Sequence, residues 1–293
     1  MIRSIVIGLI LAPALLAGAA DAGADAAGDE AILAAARAAD LEYSRHVALL
    51  EADLGDAREE VRVAAITAFG PLQDPAAVPL LIPFLDGSTR TPAEVMAAVE
   101  SLADLGAVGT ADAMRKLLGH GNAEVRAAAH NGLERLKAIG AGDHLRGAKD
   151  TSDALRGSGV QNLGLIQHAE AAETLKKALA FDARPHIRRL AAIALGRLGD
   201  PGNGLALAEA LTDSDPGVRR YAAEALVKVD YKLGIPNLLM ALEANVAGQH
   251  IDRCVELITG QDFGFDAHSN QLERQAAIEK GFVWWAANAP SFR

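Results

Sequence analysis

Apolar residues recur along this chain at the spacing of an α-helix, most clearly over 184–201. There Ile187, Leu190, Ala191, Ala194 and Leu195 fall on one face, and Gly199 and Pro201 end the run. The alanines on the apolar side leave room for a neighbouring helix to come close. Much of the remaining chain is an imperfect copy of this stretch. The β-branched or Leu residue that opens each copy is Val61, Val95, Val125, Leu155, Ile187, Val218 or Ile251, at spacings of 34, 30, 30, 32, 31 and 33 residues. Four positions on stands a small or β-branched residue (Ala65, Val99, Ala129, Gly159, Ala191, Ala222, Val255). Nine on, a glycine recurs at Gly70, Gly164, Gly196 and Gly260.

Each period has two parts. A Leu-rich first helix (Leu80, Leu81 and Leu85; Leu117 and Leu118; Leu175 and Leu179; Leu238, Leu239 and Leu242) is followed by a polar loop and then the second helix that carries the anchor. One such pair cannot bury its own apolar stripe, but a stack of pairs shares a continuous core. The pattern therefore predicts an all-α fold: a right-handed α-solenoid of about seven helix pairs over residues 43–260, with no sheet. Residues 20–42 read as a flexible lead and an N-terminal capping helix. Residues 141–170 depart most from the repeat, because Gly157, Gly159 and Gly164 weaken the second helix there. Residues 261–293 form a different, aromatic-rich helical segment that holds both tryptophans and four of the seven phenylalanines. Phe282, Trp284 and Trp285 suit the covering of the last apolar face, and a carbohydrate or peptide platform is the alternative.

The segments Glu60-Val-Arg-Val-Ala-Ala, Glu124-Val-Arg-Ala-Ala-Ala, Ile187-Arg-Arg-Leu-Ala-Ala and Val218-Arg-Arg-Tyr-Ala-Ala-Glu-Ala-Leu resemble HEAT repeats, in particular the bacterial variety named after phycobilisome lyases. The tail resembles that of other secreted bacterial HEAT-repeat proteins. The resemblance implies a protein-binding scaffold more than an enzyme, and the repeat motif carries no catalytic residue to transfer.

Composition agrees with such a stack: 51% of residues are hydrophobic and only 4% aromatic, which suits Ala/Leu helices and not sheets. At the N-terminus, Arg3, the apolar run Ile5 to Leu16 and Ala17-Gly18-Ala19 have the order of a cleaved secretory signal over residues 1–19. The charge-free run from Ser4 to Ala20 is short for an uncleaved anchor, which is the rival reading. Export to the periplasm or beyond is the expectation, with no membrane insertion after cleavage. A net charge of −10 argues against nucleic acid and against anionic membrane surfaces as partners.

Two charged patterns run through the repeats. Asp56 and Arg62, Asp150 and Arg156, Asp182 and Arg188, and Asp213 and Arg219 share a six-residue spacing. The aspartate is placed to cap the second helix, and the arginines to form a ladder of charge-assisted hydrogen bonds between repeats. The pattern breaks at Arg90/Met96, His120/Arg126 and Val246/Asp252, which leaves Arg126 without the usual aspartate. Two positions past the anchor, Arg189, Arg220 and Arg253 form a row preceded by Val63, Ala97, Ala127 and Gly157. With Arg126, this row is the candidate surface for an acidic ligand. The competing reading is a solvated face with local pairs to Glu224 and Glu256.

No other chemistry stands out. The eight histidines (His46, His120, His130, His144, His168, His186, His250, His268) show no metal-ligand spacing, so neither metal nor cofactor is predicted. Cys254 is alone and reads as a small buried apolar side chain. Three roles remain: a scaffold for a protein or peptide, a lyase-like enzyme or chaperone-like lyase subunit, and a purely structural element. The first is the leading expectation.

Overall fold

The computed structural model describes residues 26–244 and 248–292. The segment read as a signal, residues 1–19, lies outside the described residues, as do Val246 and the start of the lead. Fifteen α-helices follow one another, with short 3-10 turns and no strand among the described residues. They are α1 (Ala26–Asp53), α2 (Glu59–Phe69), α3 (Val78–Leu81), α4 (Pro92–Asp104), α5 (Ala111–Leu117), α6 (Ala123–Arg135), α7 (Ala141–Gly147) and α8 (Asp153–Leu163). Then come α9 (Ala171–Phe181), α10 (Pro185–Leu198), α11 (Gly204–Glu209), α12 (Pro216–Lys228), α13 (Ile235–Glu243), α14 (Gly248–Thr259) and α15 (Gln271–Asn288).

All seven anchors fall in the even-numbered helices α2 to α14. Six of them are buried and Val61 is half-buried. The repeat period thus marks seven helix pairs, α1/α2 to α13/α14, and the chain is an α-solenoid. The first helices are mostly short. Pro79 and Pro83 remove amide donors around α3, so that segment alternates α and 3-10 turns.

Two differences from the sequence expectation stand out. The lead and capping helix are not separate from the first repeat: a single helix, α1, starts at Ala26 and runs 28 residues to Asp53. The glycines of 141–170 do not break α8, which forms its full 11 residues. Helix propensity is a weak prior, and here close packing outweighs it.

The helices form two compact units, residues up to Thr110 and residues from Ala111 onward. In the first unit α2 packs on α1 and α4. The buried Ser101 hydroxyl donates to the Ile66 carbonyl at 2.9 Å and ties α4 to α2. In the second unit α8, α10, α12 and α14 lie against one another in succession, each backed by its first helix. The recurring glycine is used at these contacts. A Cβ on Gly164 would stand 2.6 Å from the Ala194 Cα, and one on Gly196 2.9 Å from the Ala225 Cβ. After α14, helix α15 packs on α13 through buried Ala277, Ile278 and Gly281. Cys254 is buried in the same core, and burial pushes its thiol up to about 11. No helix among the described residues is long and apolar enough to cross a membrane.

Candidate functional site

The six-residue Asp/Arg spacing resolves into two kinds of bond, and the side chains of one pair do not meet each other. The arginine Nη1 donates back to the main-chain carbonyl six residues earlier: Arg156 to Asp150 and Arg188 to Asp182, both at 2.9 Å, and likewise Arg62 to Asp56 and Arg219 to Asp213. The rest of the guanidinium reaches the aspartate of the following repeat. Arg156 Nε bonds Asp182 at 2.6 Å, and Arg188 holds Asp213 through Nε and Nη2 at 2.7 and 2.8 Å. The aspartates do not cap the helices either. Oδ1 of Asp56, Asp150, Asp182 and Asp213 accepts the N–H two residues on, closing a turn just before the cap position.

Arg126, read from sequence as lacking a partner, is fully engaged. A carbonyl is all it needs six residues back, and His120 supplies one at 2.9 Å. Its Nε and Nη2 hold Asp150 at 2.8 and 2.7 Å. Arg90 stands where the first unit would need an aspartate, so Arg62 pairs instead with buried Glu94 on α4. In the last rung Arg219 Nε is buried without a protein partner. Asp252 replaces the arginine of the next repeat, and burial with Glu256 and Asp262 nearby pushes its carboxyl up to about 6.

These rungs set an acid limit on stability. The Arg126 bond holds the Asp150 carboxyl below its ordinary 3.8. At Asp182 and Asp213 burial pushes upward, but the bonds from Arg156 and Arg188 and the turn N–H groups outweigh it, so both are also lowered. The folded state therefore binds fewer protons than the unfolded chain, and the stabilisation is complete above pH 3.8 and lost as pH falls through the depressed values. Urea unfolding should show stability falling as pH drops below 3.8, and Asp213→Asn should make that loss shallower.

The arginine row is equally occupied. Arg189 holds Asp215 in a two-point pair at 2.8 and 2.7 Å. Arg220 donates to Glu224 at 3.3 Å, and Arg253 to Glu256 at 2.6 Å. Each of these arginines holds a carboxylate, Arg189 through two bonds and Arg220 and Arg253 through one. The open feature of this face lies one repeat earlier, where the row carries Gly157. A groove of about 520 Å³ runs there between α6, α8 and α10, with Glu134, Ser158, Gln161, His186 and Leu190 among its walls. Asp153 on its rim is taken by Arg156 and Arg184, at 2.7 and 2.6 Å. Ser158, Gln161 and His186 make no side-chain hydrogen bond among the described residues.

Behind Glu134 the fold joins two histidines that the sequence holds apart. His130 on α6 and His144 on α7 meet edge to face, ring centroids 5.4 Å apart, and both are over nine-tenths buried. Burial lowers both imidazoles from their ordinary 6.5, so the rings are neutral at pH 7. Two glycines lie beside this contact. A Cβ on Gly159 would stand 2.2 Å from the Ala148 main-chain nitrogen, so only glycine lets α8 come this close to the end of α7. Gly147, at that end, leaves His130 Nε2 3.6 Å from where its own Cβ would sit.

The HEAT-repeat family model matches residues 46–134 and 144–226, more than half of the chain. The chain belongs to the HEAT-repeat family. No curated protein sequence matches it. Among solved structures it is similar to YibA of Escherichia coli, at 16% identity and a TM-score of 0.57, covering 74% of this chain and 82% of that one. Fainter likenesses are the CpcE–CpcF complex of phycocyanin lyase from Nostoc (20% identity, TM-score 0.40, 73% and 94% covered) and human deoxyhypusine hydroxylase (19%, 0.37, 73% and 85%). The first of these likenesses supports the HEAT fold and nothing finer.

At the C-terminal end of this HEAT-repeat protein, the tail aromatics sit at the rim of α15 and not at its buried centre. Phe282, Trp284 and Trp285 are half-buried against the core. Trp285 stacks on Phe292 at 5.8 Å, and Trp284 lies 6.1 Å from Phe263. The small residues Ala277 and Gly281, with Ile278, make the close contact.

Proposed function

We propose that this HEAT-repeat protein is a non-enzymatic scaffold that binds a protein or peptide outside the cytoplasm. The reading rests on the groove at Gly157. Its polar side chains make no hydrogen bond among the described residues, so they are available to an incoming chain, beside a row of arginines that each hold a carboxylate. The location rests on the signal-like residues 1–19. The bacterial secreted type of the repeat is part of the same proposal.

The test is co-purification from the native envelope. Ala154→Trp places a large side chain on an exposed groove position and should remove the co-purifying partner without changing the melting curve. Phe181→Ala, at an 84% exposed position outside the groove, should leave it bound. The mature N-terminus should lie near Ala20. A partner retained by Ala154→Trp would move the binding surface elsewhere, and no partner at all would favour a purely structural role.

A further inference from the structure

We propose that His130, His144 and Glu134 form a binding site for a divalent transition-metal cation of the zinc class. One ligand atom from each residue lies within 4.8 Å of the others. His130 and Glu134 are one helical turn apart on α6, with Nδ1 and Oε1 separated by 3.7 Å. His144 comes from the next helix, so the site exists only when α7 is docked on α6.

Two unsatisfied groups point to a missing ligand. His130 Nε2 and His144 Nδ1 are buried with no protein hydrogen-bond partner. A buried polar atom left unpaired is costly, and one ion can take up the His144 nitrogen together with one nitrogen of His130, whose Nδ1 is the atom nearest Glu134. Neutral imidazoles offer lone pairs, and two nitrogens with one carboxylate suit zinc or its neighbours better than calcium or magnesium, which favour all-oxygen sites. The single negative charge of Glu134 partly balances the cation.

The carboxylate is already oriented. Asn162 on α8 donates to Glu134 Oε1 at 2.7 Å, the kind of outer contact that fixes a metal-binding oxygen. Glu134 is also part of the groove wall, which gives an ion a route from solvent to the buried rings. Neighbouring charges are committed elsewhere: Asp143 accepts from Arg115 at 3.2 Å and from the Gly140 N–H at 3.0 Å, and Arg126 holds Asp150.

The test uses the full-length protein, stripped with a chelator and titrated with Co²⁺ and then Zn²⁺. One equivalent of Co²⁺ should bind with visible ligand-field absorption, Zn²⁺ should displace it, and either ion should raise the melting temperature. His144→Gln and Glu134→Gln should each weaken binding by at least about tenfold. Glu134→Gln keeps an oxygen for Asn162, so it holds the fold and decides the matter if His144→Gln does not fold. His168→Gln, at an exposed histidine elsewhere, should change nothing. No absorption change with excess Co²⁺ would overturn the proposal and leave the histidines as a hydrated pair. Affinity that survives either substitution in a folded variant would overturn the three-residue site.

Discussion

Deleting residues 261–293 should lower the unfolding midpoint of the C-terminal repeats by roughly 10–20 °C. Helix α15 packs on α13, and Gly281 sits directly on it: a Cβ there would stand 2.6 Å from Leu239 Cδ2. Burial of one large apolar side chain such as Ile278 is worth about 1.5–3 kcal/mol. Phe282, Trp284 and Trp285 add partial burial, so the loss is on the order of 5 kcal/mol. For a domain of this size each kcal/mol moves the midpoint by about 2–4 °C. Because repeats contact mainly their neighbours, hydrogen exchange should rise first in α13 and α14 and least in α6. The bared face should bind hydrophobic dyes. A truncated protein that melts like the intact one but no longer binds its partner would make the tail a recognition surface instead.

The second large effect separates two glycines two residues apart on α8. Gly159→Ala should destabilise the second unit by about 3 kcal/mol or more, at the top of the usual range for overpacking. The added Cβ would meet main-chain atoms, the Ala148 nitrogen at 2.2 Å and the Gly147 carbonyl carbon at 2.6 Å, and backbone cannot rotate aside as a side chain can. Relief requires α7 to move off α8. Gly157→Ala should do the opposite. Its Cβ would find only Leu190 Cδ1 at 3.5 Å, an ordinary contact, so the variant keeps the packing and gains up to about 1 kcal/mol of helix propensity. Urea unfolding of the two variants under one set of conditions checks both. Equal and small effects would mean that α7 and α8 are not held as closely as described.

The two glycines also mark where reading the chain stops being enough. Both look like helix-weakening residues in the sequence, and nothing local distinguishes them. One faces the backbone of another helix and the other a groove. The same holds for charge. The six-residue spacing of Asp150 and Arg156 is visible, but the bond it encodes runs to a carbonyl, which every residue has, and the carboxylate that completes it lies a repeat away. That is why Arg126 seemed unpaired beside His120 and is not.

By itself the sequence determined the helices and their pairing, because helix formation and the burial of one apolar stripe per helix depend on residues three to four apart. Seven anchors at a 30–34-residue period were enough to place every second helix. Only the tertiary structure decided which polar groups meet. The Asp213 carboxylate goes to Arg188 and not to Arg219, His144 meets His130 across 14 residues of chain, and α7 lies against α8 only because Gly159 carries no side chain. Contacts of that kind depend on the distance and angle between helices, and those are set by side-chain volume at the crossing, not by the spacing of residues along the chain.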